Sequence, residues 1–98
     1  IAIEHRCEQP WRIADLAKLA GLSPSRFVEL FTHEVGLSPR QYLLQQRVKR
    51  AKRLLSDSDL SITELALELG FSSSQHFAKM FRRIAGCTAK AYRQRSHR

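Results

Sequence analysis

Cysteine is scarce in this chain: Cys7 and Cys87 are the only two in 98 residues. Two cannot make a disulfide framework, so a reducing cytoplasm is the natural compartment. Long apolar runs are missing too. None approaches the ~18 residues that cross a bilayer, and no succession of charged, apolar and small-residue regions opens the chain as a secretory signal would. Period-two alternation never persists, which argues against a sheet. There is no phosphate-cradling glycine loop, no HExxH pair and no paired carboxylate set suited to a pocket. His5 near Cys7, with His76 and Cys87 elsewhere, is a two-ligand coincidence rather than a zinc site. These absences leave a cytoplasmic, non-enzymatic protein as the expectation, with neither metal nor cofactor.

Acidic side chains are missing in a more telling way. Residues 37–56 hold six basic side chains and no acidic one, and residues 71–98 hold seven and none. Residues 57–70 are the reverse, with four acidic and no basic. The formal net charge of the whole chain is +8. Such a balance favours a polyanion, either nucleic acid or an anionic membrane surface. A membrane-surface role needs an amphipathic helix with cations on its polar face. The stretch 39–55 partly fits, but it must also bury an apolar stripe. At 43 % hydrophobic the chain can bury a modest core, as one compact unit or two very small ones. It opens on Ile1 rather than Met, so a fragment of a longer protein is expected.

What is present is one pattern stated twice. Ile13, Leu16, Ala17 and Gly21 fall on Ile62, Leu65, Ala66 and Gly70, an offset of 49. Phe27, Phe31, Gly36 and Tyr42 fall on Phe77, Phe81, Gly86 and Tyr92, an offset of 50. One residue is therefore inserted in the second copy, around Ser72–Ser74. Two copies are too few for a solenoid, so the repeat reads as one job done twice.

The apolar period is near 3.6 throughout, which predicts an all-α fold. Ile1–Glu8 reads as a first helix, stopped by Pro10. A short helix follows with Ile13, Leu16, Ala17 and Ala20 on one stripe, and Gly21 ends it. Ser23-Pro24 is an N-cap followed by proline at the first helical position. Phe27, Leu30, Phe31 and Val35 are the expected buried stripe of the next helix, closed by Gly36. Ser38-Pro39 opens a longer helix to about Leu55, with Leu44, Val48, Ala51 and Leu55 buried. Arg47 falls inside that apolar sector and is expected to be structural, its guanidinium paired with carbonyls or an acid. Ser61 with Glu64 forms a capping box. Ile62, Leu65, Ala66 and Leu69 then repeat the second helix, and Phe77, Met80, Phe81 and Ile84 repeat the third. Thr88 starts a last short helix. Cys7 and Cys87 are expected to be small buried apolar residues.

Each copy is thus a helix, a tight turn bearing glycine, and a second helix, the form of a helix-turn-helix. The spacing ADLAKLAGLSPSRFVELF, the stretch GLSPRQYLLQQRVKRAKRLL and the block ITELALELGFSSSQHFAKMFRRIAG together resemble the DNA-binding domain of the AraC/XylS family of bacterial transcription regulators. The resemblance covers roughly residues 11–94. It implies about seven helices in two homeodomain-like helix-turn-helix subdomains, residues 1–37 and 57–98, joined by a linker helix over residues 38–56. The chain departs from the family at Ala89, where a proline is usual.

With Phe27 facing inward and 100° per residue, Ser25, Glu29 and Thr32 point outward. Arg26 and His33 stand on one shoulder and Val28 on the other. From Phe77 the same step turns Gln75, Lys79 and Arg82 outward, with His76 and Arg83 on one shoulder and Ala78 on the other. The resemblance implies that these positions carry base contacts. Gln pairs with adenine, Lys or Arg with guanine, Glu accepts from the cytosine amino group, and Val packs on a thymine methyl. The base-reading candidates are Ser25, Val28, Glu29, Thr32, Gln75, His76, Lys79 and Arg82. Ser23, Ser72, Ser73 and Ser74 lie at helix N-termini, where they cap and where anions are attracted. With Arg26, Arg40, Arg83 and Lys90 they are the phosphate candidates, which fix register without reading sequence. Lys49, Arg50, Lys52 and Arg53 add non-specific attraction.

The expected function is sequence-specific binding of double-stranded DNA by two helices in successive major grooves, in the regulation of transcription. RNA polymerase and a companion effector or dimerisation domain, absent from this stretch, are the other expected partners, with no membrane partner. The expected place is the bacterial cytoplasm, at the nucleoid. The alternative is a helical protein-interaction module that contacts polymerase or a partner domain and holds DNA only weakly.

Overall fold

The computed structural model describes Cys7 and residues 11–96. Six helices occur among the described residues: α1 (Ile13–Ala20), α2 (Pro24–Val35), α3 (Pro39–Asp57), α4 (Ile62–Glu68), α5 (Ser74–Ala85) and α6 (Ala89–Ser96). The helix expected over residues 1–8 lies outside the described residues, Cys7 apart. No strand occurs among the described residues.

Hydroxyl caps set most of the helix starts. Ser23 Oγ accepts from the Arg26 amide at 3.2 Å, with Pro24 in the first helical position. Ser38 and Gln41 form a reciprocal capping box ahead of Pro39, as do Ser61 and Glu64. Ser73 accepts from the His76 amide at 3.0 Å, and Thr88 from that of Ala91 at 3.1 Å. Each cap satisfies an amide that the first turn leaves without an intrahelical partner. The backbone N–H and hydroxyl of Ser61 hold the Glu64 carboxyl below its ordinary range.

The two inter-helix turns begin alike. The Gly21 amide donates to the Lys18 carbonyl and that of Leu22 to Ala17; Gly70 and Phe71 repeat this on Leu67 and Ala66, all at 2.9–3.1 Å. This paired closure needs a left-handed residue, and Gly21 and Gly70 supply it at φ +72° and +85°. Up to Leu22 and Phe71 the offset is therefore 49. From the caps Ser23 and Ser73 onward it is 50. The extra residue is Ser72, which is exposed.

Ring packing repeats as well. Phe27 and Phe31 lie 5.7 Å apart, as do Phe77 and Phe81. Phe31 meets Tyr42 edge-on at 5.5 Å, and Phe81 meets Tyr92 edge-on at 5.8 Å. The two copies are not equally enclosed. Val48, Ala51 and Leu55 of α3, Leu65 and Ala66 of α4, and Phe77 and Phe81 of α5 build one core, with Leu69, Phe71 and Ala89. The expected burial of Phe27, Leu30, Phe31 and Val35 is only partial. The first three are half-buried and Val35 is 40 % exposed. Among the described residues α2 packs chiefly on α1, with a few contacts to α3, whereas α5 is held by α3, α4 and α6.

α3 serves both copies. Its start carries Tyr42 against Phe31. Its end receives α6: Arg93 donates to the Leu55 and Ser58 carbonyls at 3.2 and 3.4 Å. Arg47 is structural, as its place in the stripe requires. Its Nε–H donates to the Cys7 carbonyl at 2.7 Å, and its guanidinium lies 5.4 Å from the Phe71 ring centre. Cys7 is buried and Cys87 half-buried. The molecule is elongated, 44 × 21 × 21 Å.

Candidate nucleic-acid interface

Because caps and rings repeat at an offset of 50, α2 and α5 turn matching positions outward. The pairs are Ser25 with Gln75, Arg26 with His76, Glu29 with Lys79, and Thr32 with Arg82. All eight side chains are exposed. Val28 does not share this face. It is half-buried and lines a groove with Ile13, Leu16, Pro39 and Leu43, so it lies beside the exposed face rather than on it.

The electrostatics of the two faces differ. On α5 the exposed cations Lys79, Arg82 and Arg83 occur with no acidic residue in the helix. On α2, Glu29 receives Arg26 Nη1 at 3.0 Å, an ion pair 54 % and 70 % exposed, and His33 lies 3.8 Å from Glu34. Arg26, expected to meet phosphate, is thus paired along its own helix. At the matching place His76 sets its ring edge-on to Phe71 at 5.5 Å.

The phosphate candidates separate by position. Ser23 and Ser73 are caps, whereas Ser74 is the first residue of α5 and donates its hydroxyl to Gln75 Oε1 at 3.4 Å. Ser72 is the inserted turn residue and caps nothing. Arg40, Arg83 and Lys90 are exposed. Of the α3 cations, Lys49, Arg50 and Arg53 are exposed, but Lys52 is half-buried with its ammonium 5.9 Å from the Tyr92 ring centre. Trp11 and Arg12, which sequence reasoning passed over, line a groove between the two copies with Arg40, Leu43, Ser72 and His76. Their only signal was a cation just ahead of the first repeat.

No group of three His, Cys, Asp or Glu side chains suited to a metal occurs among the described residues. No helix among them is long and apolar enough to cross a membrane. Residues 16–95 match the model of a family described as a helix-turn-helix domain. A transcriptional regulator of the AraC-type DNA-binding domain-containing proteins from Chromobacterium violaceum superposes with a TM-score of 0.89 at 32 % identity, over 97 % of this chain and 85 % of that one. The DNA-binding domain of AdpA, a global transcriptional factor solved in complex with a target DNA, superposes with a TM-score of 0.86 at 40 % identity, over 95 % and 83 %. Among curated relatives, the HTH-type transcriptional regulator ExsA of Pseudomonas aeruginosa is 39 % identical over 84 residues, 86 % of this chain. The chain belongs to the AraC-type helix-turn-helix family of transcriptional regulators. It spans 30 % of the length of ExsA.

Proposed function

We propose that this domain binds double-stranded DNA sequence-specifically, with α2 and α5 in successive major grooves of one duplex, and so regulates transcription. The observation that carries the reading is the repeated frame of serine cap and aromatic rings. It turns equivalent faces of α2 and α5 to solvent on one strongly basic chain. Residues 1–37 and 57–98 act as the two reading units and residues 38–56 as the strut between them. A 44 Å long axis accommodates reading helices about 34 Å apart, one turn of B-form duplex. The likeness to the DNA-bound AdpA domain supports the same use of the fold.

The two units occupy different places in one chain and carry different side chains, so the site is asymmetric and about 20 base pairs long. Gln75, Lys79 and Arg82 read bases for the second unit, with His76 beside them. Ser25, Glu29 and Thr32 read for the first, with Val28 at the rim. Ser23, Ser72, Ser73, Ser74, Arg26, Arg40, Arg83 and Lys90 meet the backbone. The rest of the protein supplies an effector or dimerisation domain. RNA polymerase is the second macromolecular partner, and the place of action is the bacterial cytoplasm, at the nucleoid.

The test is selection of bound duplexes from a random pool, followed by a salt titration. Two enriched blocks one helical turn apart are expected. If about six phosphates are neutralised, log K falls against log[salt] with a slope near −5. A single enriched block, or no duplex affinity at moderate salt, overturns the reading in favour of a protein-interaction module.

A further inference from the structure

Glu29 and Lys79 occupy the same place in two equivalent helices. Each lies six residues after its serine cap, Ser23 or Ser73. Each follows the first ring of its ladder, Phe27 or Phe77, by two residues. Both side chains are exposed. Their chemistry is opposite. A carboxylate can only accept, and an ammonium can only donate.

In the major groove a G·C pair offers acceptors on guanine, N7 and O6, and a donor on cytosine, the N4 amino group. Lys79 therefore suits guanine and is repelled by the cytosine amino group. Glu29 suits cytosine and is repelled by guanine N7 and O6. We propose that this opposed pair is the device by which the domain tells its two half-sites apart: the unit bearing Glu29 demands cytosine at the step where the unit bearing Lys79 demands guanine. Resting on the two-groove reading above, the inference adds the polarity of one base pair in each half-site.

The ion pair on α2 makes this workable. A lone carboxylate beside a phosphate backbone repels it. Arg26 Nη1, 3.0 Å from Glu29 Oε1, compensates that charge and leaves Oε2 to accept from cytosine. Lys79 needs no such partner, since the phosphates themselves favour it. The neighbours on its face, Gln75, His76, Arg82 and Arg83, include no acid. Specificity of this kind works by rejection as much as by attraction.

The test is duplex selection with the wild-type domain, with Glu29→Lys and with Lys79→Glu. In Glu29→Lys, one position of one block should switch from cytosine to guanine, with a preference of about fivefold or more, and the other block should stay unchanged. In Lys79→Glu the other block should switch from guanine to cytosine. Arg26→Ala should weaken binding to every sequence, and by more in the native chain than in a Glu29→Gln background, where no carboxylate is left to compensate; an equal loss in both backgrounds overturns the compensating role. An unchanged preference in Glu29→Lys, or a uniform gain on all sequences, overturns the inference. A wild-type selection that enriches only one block overturns the two-groove reading instead, whatever the variants do. Both positions are exposed, and circular dichroism of each variant checks that it folds.

Discussion

Arg47 Nε–H donates to the carbonyl of Cys7 at 2.7 Å, joining the middle of α3 to a residue forty positions earlier in the chain. The same guanidinium faces the Phe71 ring, in the turn of the second copy. One cation therefore ties Cys7, α3 and the second turn together. Arg47→Ala should lower unfolding free energy by about 2 kcal/mol, the scale of a part-buried hydrogen bond from a charged donor. Chemical denaturation measures it. A change within about 0.5 kcal/mol, the scatter of an ordinary surface substitution, would assign the contact no structural weight.

The equivalent rings Phe31 and Phe81 should respond unequally. Phe81 is fully enclosed and Phe31 only half-buried. Phe81→Ala should cost about 3–5 kcal/mol, and this small domain is then expected to unfold. Phe31→Ala loses less buried area and should cost about 1–2 kcal/mol. Comparing thermal melts of the two variants decides it; equal losses would contradict the unequal enclosure.

Gly21 tests the turn. A Cβ there meets nothing within 4 Å, so Gly21→Ala introduces no clash. The φ of +72° still disfavours an L-residue by about 1–2 kcal/mol. That loss should appear in denaturation, and Gly21→Asn should recover part of it, since asparagine tolerates this region better.

On DNA, Lys79→Ala should erase discrimination at one base pair, worth about 1–3 kcal/mol. Arg83→Ala should weaken all sequences alike and reduce the salt slope by about 1. Titrations of matched and mismatched duplexes at several salt concentrations separate the two. If both variants behave alike, their assigned roles merge.

Glu64 gives a pH dependence of known sign. Its carboxyl is held below its ordinary value of 4.5 by Ser61. A folded-state value lower than the unfolded one stabilises the fold above the ordinary value, and the gain fades as pH falls through the depressed one. Glu64→Gln keeps an acceptor for the cap but no charge. The melting temperature of the native chain should exceed that of Glu64→Gln near neutrality, with the gap closing on acidification. A gap that is constant with pH would remove the charge from the explanation.

Much of the helical layout was legible because the repeat constrains itself. Ser23-Pro24, Ser38-Pro39 and Ser61 with Glu64 fall where hydroxyl caps satisfy free amides, and the 49-to-50 shift bracketed the insertion. Ser72, Ser73 and Ser74 are chemically alike, so only the turn hydrogen bonds could single out Ser72. Periodicity gave the inward direction of Phe27 and Phe31, but not how much would cover them. That depends on neighbouring elements, and among the described residues α2 has fewer of these than α5. On the exposed face of α2, Arg26 and Glu29 stand three apart, a spacing at which opposite charges on a helix meet. Treating each as a separate DNA contact missed the pair. The half-burial of Lys52 was not legible for a similar reason: its aromatic partner, Tyr92, comes from another helix.

A single helix, α3, packs against elements of both copies. Each residue of α3 advances the axis by about 1.5 Å and turns it by about 100°. Lengthening or shortening it by one residue would swing one end a quarter-turn or more against the other. Helix length therefore acts as a ruler and a compass at once, leaving duplications of this unit free to diverge in side chains while the joint between them stays fixed in register.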